Sequence, residues 1–338
     1  MRWLTALYLT LGVGLLAWIL AGVDLKYAWQ SMLGVGWLGL AALLGVYLAA
    51  FYLDSVSWHL AITGLPLTAR WSYVVWRIRM VGEAFNTVLP AGGFGGEPVK
   101  AVLLKRHHAV TYSEGAASII LARTINLIGL AAFLLIGLIL LAENKGVADR
   151  YGWLAAGGFA FLAFGIFALF AVQKFRAASA TGAFLARTGP GRALARALIH
   201  VRGVEDRLVH FYTARPRRLL PALGLAFTNW CVGTAETWLA LHLLGHPVTW
   251  AEAWIIESVA QMVRAVTFFI PANLGTQDGA LVVLTGAITG VPEAGAAVAA
   301  LKRLREIVFV LWGFGLGSIY SLRSLKRAAD EGGEAAGT

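Results

Sequence analysis

Charge is scarce in this chain: Asp, Glu, Lys and Arg make up 14% of its 338 residues, against 59% hydrophobic. Soluble domains carry about 25% charged residues, so a water-soluble globular fold is excluded. Cysteine is nearly absent too, and the single one, Cys231, lies in an apolar run. A disulfide framework and a thiolate metal site both need more than that. Enzyme signatures are missing as well: there is no GxxxxGK(S/T) phosphate loop, no HExxH pair, no GxSxG elbow and no DFG or HRD set. His107 and His108 are sequence neighbours and do not share a helix face, so no metal site is expected there. The expectation is no catalytic residue, no metal and no cofactor. Any transport would then be driven by a gradient, by downhill lipid movement or by a partner.

What charge there is leans one way, to a net +10. In so apolar a chain, clustered Lys and Arg mark cytoplasmic loops and anionic headgroups, and nucleic acid is not an expected partner. Six apolar runs, at 3–23 and about 36–62, 113–141, 151–172, 219–244 and 296–322, suit a membrane core that takes about 20 helical residues to cross. Two further stretches, within 71–106 and 251–289, break at proline and glycine instead. The basic clusters are Arg2, Arg70 to Arg106, 174–218 and Arg323 to Arg327. Six transmembrane helices plus two re-entrant hairpins put all of them on the cytoplasmic side, together with both termini. Treating each hairpin as a single crossing would send one cluster outside. The expected fold is therefore an all-α polytopic membrane protein, with one membrane domain over 1–323. A basic connector at 174–218 should lie at the headgroup level, and a polar tail at 324–338 should be disordered.

The stretch from Leu89 to Arg106, LPAGGFGGEPVKAVLLKR, organises the rest. A backbone break at membrane depth is tolerated only inside protein or beside a water-filled cavity. The break recurs. With Pro90 set on Pro271, an offset of 181 residues, TVLPA falls on FFIPA, Glu97 on Asp278 and Val110 on Val291. The helix of Arg123 falls on the one carrying Arg303 and Arg305. This is the pattern of a diverged duplication, with repeat one at about 71–141 and repeat two at about 251–322. Three spans separate the hairpins, so they enter from opposite faces as an inverted-topology repeat, a plan common among transporters.

Arg79, Arg123 and Arg264, with Glu97, Asp278 and Glu306, fall at membrane depth in this topology. Each would cost about 2.5 to 3.5 kcal/mol at a helix centre, or about 15 to 20 kcal/mol for six facing lipid. They must face one another or a wet cavity. Two readings stay open: ion pairs that pin helices, or a groove for a polar headgroup whose tails stay in lipid. Arginine suits the second because its planar fork holds phosphate bidentately, and Lys100, Arg303 and Arg305 extend the basic set. Amides at a broken helix add donors, and Gly93, Gly95, Gly96 and Gly275, beside Pro90 and Pro271, would let a headgroup approach the backbone. Asn86, Asn126 and Asn273 complete the candidate substrate-binding residues. Glu97 and Asp278 supply either a counter-charge to an amine or a proton-coupling group.

On LPAGGFGGEPVKAVLLKR, followed by SEGAASIILARTINLIGL, the chain resembles the flippase-like transmembrane domain of lysylphosphatidylglycerol synthases. That family also holds stand-alone membrane proteins, some associated with hopanoid lipids. The likeness runs from the first span to about Leu322, and GGEPVK and IPANLGTQDGA are its most specific parts. It implies a lipid flippase or lipid transporter of the bacterial cytoplasmic membrane, handling a lipid with an anionic or zwitterionic headgroup. The expectation is that no aminoacyl-transfer domain accompanies it here. The alternatives are an integral-membrane enzyme or enzyme subunit that modifies headgroups with Glu97 and Asp278 as acid and base, or a non-transporting scaffold with a lipid-synthesis enzyme as partner.

Overall fold

Asp24 starts the first helix by accepting from the amides of Lys26 at 2.9 Å and Tyr27 at 3.0 Å, the usual work of an N-cap carboxylate. The structure is a computed structural model and describes residues 24–88, 95–108, 110–174, 206–207, 209–211, 213–268, 270 and 273–335. The expected first span, most of the basic connector and the Pro-Ala pairs at 90–91 and 271–272 lie outside these residues. No strand occurs among the described residues, and ten helices of ten residues or more do. Helix α1 is Leu25–Gly34, a short element that the apolar runs did not announce. Gly36 then turns the chain with φ 65° into α2, Gly36–Ala61.

The order continues with α3 Ala69–Val88, α4 Glu97–His108, α5 Tyr112–Glu143, α6 Lys145–Lys174 and α7 Pro216–Leu243. Then come α8 Trp250–Val266, α9 Thr276–Thr289 and α10 Pro292–Ala335. Thr111 caps α5, and a Thr249/Glu252 capping box starts α8. The backbone of α10 stays helical into the 324–338 segment as far as Ala335. Helices α2, α5 and residues 145–168 of α6 are long and apolar enough to cross a membrane. Helix α6 turns Trp153, Phe161, Phe164 and Phe167 outward. In water such a face would be a liability, and in a bilayer it meets acyl chains at little cost.

Two antiparallel helices, α2 and α7, form the centre. Ser57 donates to the carbonyl of Ala222 at 2.9 Å, Arg218 donates to that of Ile62 at 3.0 Å, and at the other end Gly39 lies against Leu243. Around them, α3 packs on α10 and α5 packs on α8. Both outer contacts use glycine for close approach. Gly313 of α10 sits on Met80 and Ala84 of α3, and Gly137 of α5 sits on Ser258 of α8.

Helices α3 and α4 fold back on each other. At the open end Trp71 meets His108 edge-on with ring centroids 5.4 Å apart, and at the closed end the Gly96 amide donates to Asn86 at 2.6 Å. Thr63, just past α2, donates to Glu114 at the start of α5, 3.2 Å away. The end of α2, both feet of the α3/α4 hairpin, and the starts of α5 and α7 thus share one end of the bundle. Arg70, Arg106, Arg217 and Arg218 are all at that end. Helices α8 and α9 fold back likewise around Thr267 and Thr276, whose hydroxyls are 2.9 Å apart. Trp254 of α8 donates to the carbonyl of Phe133 on α5 at 3.1 Å, toward the opposite end.

Candidate functional site

In the first half, acids and cations from α2, α3, α4 and α5 converge beside the α3/α4 turn. Glu97, the first residue of α4, accepts from Nε of Arg123 at 3.0 Å, and Lys100 lies 2.8 Å away, one turn along the same helix. Glu83 of α3 takes the other side of Lys100 at 3.4 Å. Asn86 donates to Glu83 at 3.2 Å and to Glu97 at 3.3 Å while accepting from the Gly96 amide. That one side chain thereby ties the end of α3 to the start of α4. Gly96 is required there, because a Cβ would overlap the carbonyl of Gly82. Arg79 pairs with Asp54 of α2, and Asn126 donates to the same carboxylate at 3.1 Å. Three cations and three acids are therefore matched.

The second half repeats the chemistry with other residues. Asp278, in the first turn of α9, accepts from Arg303 at 2.9 and 3.0 Å and from the Gly275 amide at 3.0 Å. Gly275, with φ 83°, and Asn273, with φ 49°, hold the left-handed turn that aims that amide. Arg303 also holds Glu306 at 2.7 Å and the Asn273 carbonyl at 3.3 Å. Arg305 pairs with Glu236 of α7. Deeper in the packing, Lys302 lies 2.6 Å from Glu257, which also accepts from Gln261 at 2.7 Å and from Thr237.

An aromatic bridge joins the halves. Tyr47, Phe51 and Asp54 recur at i, i+4 and i+7 on one face of α2. The Arg305 guanidinium lies 3.7 Å from the Tyr47 ring centroid, and that of Arg79 lies 5.2 Å from Phe51. Phe309 of α10 stands edge-on to Tyr47 with centroids at 4.5 Å. The two charge clusters are thus ends of one seam through the bundle.

Of the residues singled out from sequence, Arg79, Asn86, Gly96, Glu97, Lys100, Arg123 and Asn126 come together in the first cluster, with Gly95 in the turn beside it. Asn273, Gly275, Asp278, Arg303 and Glu306 come together in the second, with Arg305 alongside. Arg264 is exposed at the end of α8 and makes no ion pair among the described residues. Pro90, Gly93 and Pro271 lie outside the described residues. The sequence reading missed Glu83 and Glu236, and left Asp54, Glu257 and Lys302 out of the site. Asp54, Glu236 and Glu257 are ionisable residues in mostly apolar helices, which is by itself a signal of a polar site, whereas Glu83 and Lys302 lie in helices that already carry Arg77 and Arg79 or Arg303 and Arg305. The ion-pair reading describes the observed state: Arg79, Arg123, Arg303 and Arg305 are each held by a carboxylate. No group of three His, Cys, Asp or Glu among the described residues could hold a metal.

A family model described as the lysylphosphatidylglycerol synthase TM region matches residues 4–313. No curated protein and no solved structure matches the chain.

Proposed function

The chain belongs to the lysylphosphatidylglycerol synthase TM region family, and from that membership we propose that it is a lipid flippase or transporter of the bacterial cytoplasmic membrane. A polar headgroup travels along the charged seam while its acyl chains remain in the bilayer. One observation carries this reading. In each half, a carboxylate in the first turn of the return helix, Glu97 or Asp278, is held by an arginine of the following helix, Arg123 or Arg303. Both pairs sit beside a glycine turn.

Exchange makes such pairs useful. A headgroup phosphate that displaces Glu97 from Arg123 replaces one charge-assisted pair with another, and Glu97 keeps Lys100 as a partner. Entering an uncharged apolar slot would instead strand the charge at a cost of several kcal/mol. Arg123 is the most open of the paired cations, at 39% side-chain exposure, and is the natural first contact. In this reading the two hairpins are re-entrant from opposite faces, the duplication is an inverted repeat, and the basic end of the bundle is cytoplasmic, with both termini on that side. The fold-backs of α3 on α4 and of α8 on α9, and the matching α3/α10 and α8/α5 contacts, support that arrangement.

The test is translocation of a fluorescent phospholipid in proteoliposomes. Arg123→Gln and Arg303→Gln are each expected to slow flipping by about tenfold or more, the equivalent of one lost charge-assisted contact of roughly 1.5 to 3 kcal/mol. Arg123→Gln should shift thermal unfolding little, because Glu97 keeps Lys100, whereas Arg303→Gln leaves the buried Asp278 with a neutral amide donor and should lower the midpoint, so its rate is read at equal folded fraction. Wild-type rates in both variants would remove the seam as the pathway. Mass spectrometry of the same lipid separates the enzyme alternative, since transport leaves its mass unchanged.

A further inference from the structure

Away from the seam, the basic end of the bundle holds a cavity of about 170 Å³ where the start of α5 meets the segment leading into α7. Ala117 and Phe211 supply apolar walls, and Glu114, Arg207, His210 and Arg215 supply polar ones. Phe211 is 1% exposed and packs into the core around Ala222 and Ala226, so it pins its segment against the bundle. Among the described residues, Arg207, His210 and Arg215 make no side-chain hydrogen bond or ion pair. Four arginines of the seam, by contrast, are already held by carboxylates. Glu114, the cavity's acid, accepts at 3.2 Å from Thr63, another residue of the cavity wall, and lies against Gly64.

We propose that this cavity binds the phosphate of an anionic membrane lipid from the leaflet at the basic end, with Arg207 and Arg215 on the phosphate. Arginine is the weakly hydrated, forked cation suited to phosphate, and two arginines beside one acid leave the cavity net positive. At about 30 Å³ per water in the liquid, the space takes about five or six waters, the size of a phosphate with its glycerol. Confinement is what distinguishes a lipid from inorganic phosphate: acyl chains in the bilayer hold the headgroup close to the basic end, whereas the free ion must be drawn from bulk water. The site is separate from the seam and does not rest on lipid crossing there.

Native mass spectrometry of the full chain, released from micelles with phosphatidylglycerol and phosphatidylcholine in equal amounts, reads this directly. The wild type is expected to retain phosphatidylglycerol over phosphatidylcholine by about tenfold, because both carry the phosphate but phosphatidylcholine brings a quaternary ammonium into a net positive cavity. Arg207→Gln with Arg215→Gln should bring the ratio near one, and Arg207→Lys with Arg215→Lys should restore part of it, showing that charge and not folding is at issue. An unchanged ratio in the Gln pair overturns the proposal. So does release of the bound lipid by millimolar inorganic phosphate, which would make it a free-phosphate site. Retention is measured without transport, so its failure leaves the seam untouched, and failure of flipping leaves this site untouched.

Discussion

Replacing Lys302 with methionine is expected to destabilise the protein by about 3 to 5 kcal/mol, the cost of leaving one member of a buried ion pair without its partner. Glu257 is 2% exposed and Lys302 7%, with the charges 2.6 Å apart. Gln261 and Thr237 would still donate to Glu257, but neutral donors do not balance an anion in an apolar interior. Glu257→Gln in the Lys302→Met background removes the stranded charge and keeps an amide for those two donors. That double variant should recover more than half of the loss. Equilibrium unfolding in mixed SDS and non-ionic detergent micelles gives the three free energies. A double variant as unstable as Lys302→Met alone would mean that the charge pair does not hold α8 to α10.

Gly96→Ala should be the most damaging added methyl group among the described glycines. Its Cβ would overlap the carbonyl of Gly82, and both sides of that contact are backbone, so no rotamer change relieves it. Helices α3 and α4 would have to part where Asn86 accepts from the Gly96 amide at 2.6 Å, carrying Glu97 away from Arg123. Overpacking of this kind costs about 1 to 3 kcal/mol, and the translocation proposed for the seam should fall with it because the carboxylate–arginine pair is displaced. Gly45→Ala in α2 is the matched control. Nothing lies within 4 Å of its Cβ, and removing a helical glycine should stabilise by about 0.5 to 1 kcal/mol. Equal unfolding midpoints for the two variants would show that the α3/α4 contact is not tight.

Helix positions were legible because hydrophobicity is a local property. The run read as about 113–141 is the helix Tyr112–Glu143, and the run read as about 219–244 is Pro216–Leu243. The second fold-back, read within 251–289, appears as Trp250–Val266 and Thr276–Thr289. Helix α1 escaped because, at ten residues, it is too short for a spanning run and is announced only by the Asp24 cap. Glycine and proline breaks mark where a chain cannot continue a helix, and those are local as well.

Partnership was not legible. Glu97 could be singled out as an acid at a broken helix, but its holder, Arg123, is 26 residues on, and the second partner of Lys100, Glu83, lies on the preceding helix. Asp54 was left out of the site and Glu236 was missed, because only the packing of α3 and α10 brings Arg79 and Arg305 to them. The sequence alone determined that this is an all-helical membrane chain of one family, with two stretches broken by proline and glycine and charged residues scattered among its apolar runs. Only the packing decided which charge answers which, and which arginines at the basic end make no ion pair among the described residues. The physical reason is range: burial preference and backbone breaks are written in neighbouring residues, whereas an ion pair joins atoms that only the packing of separate helices brings within 3 Å.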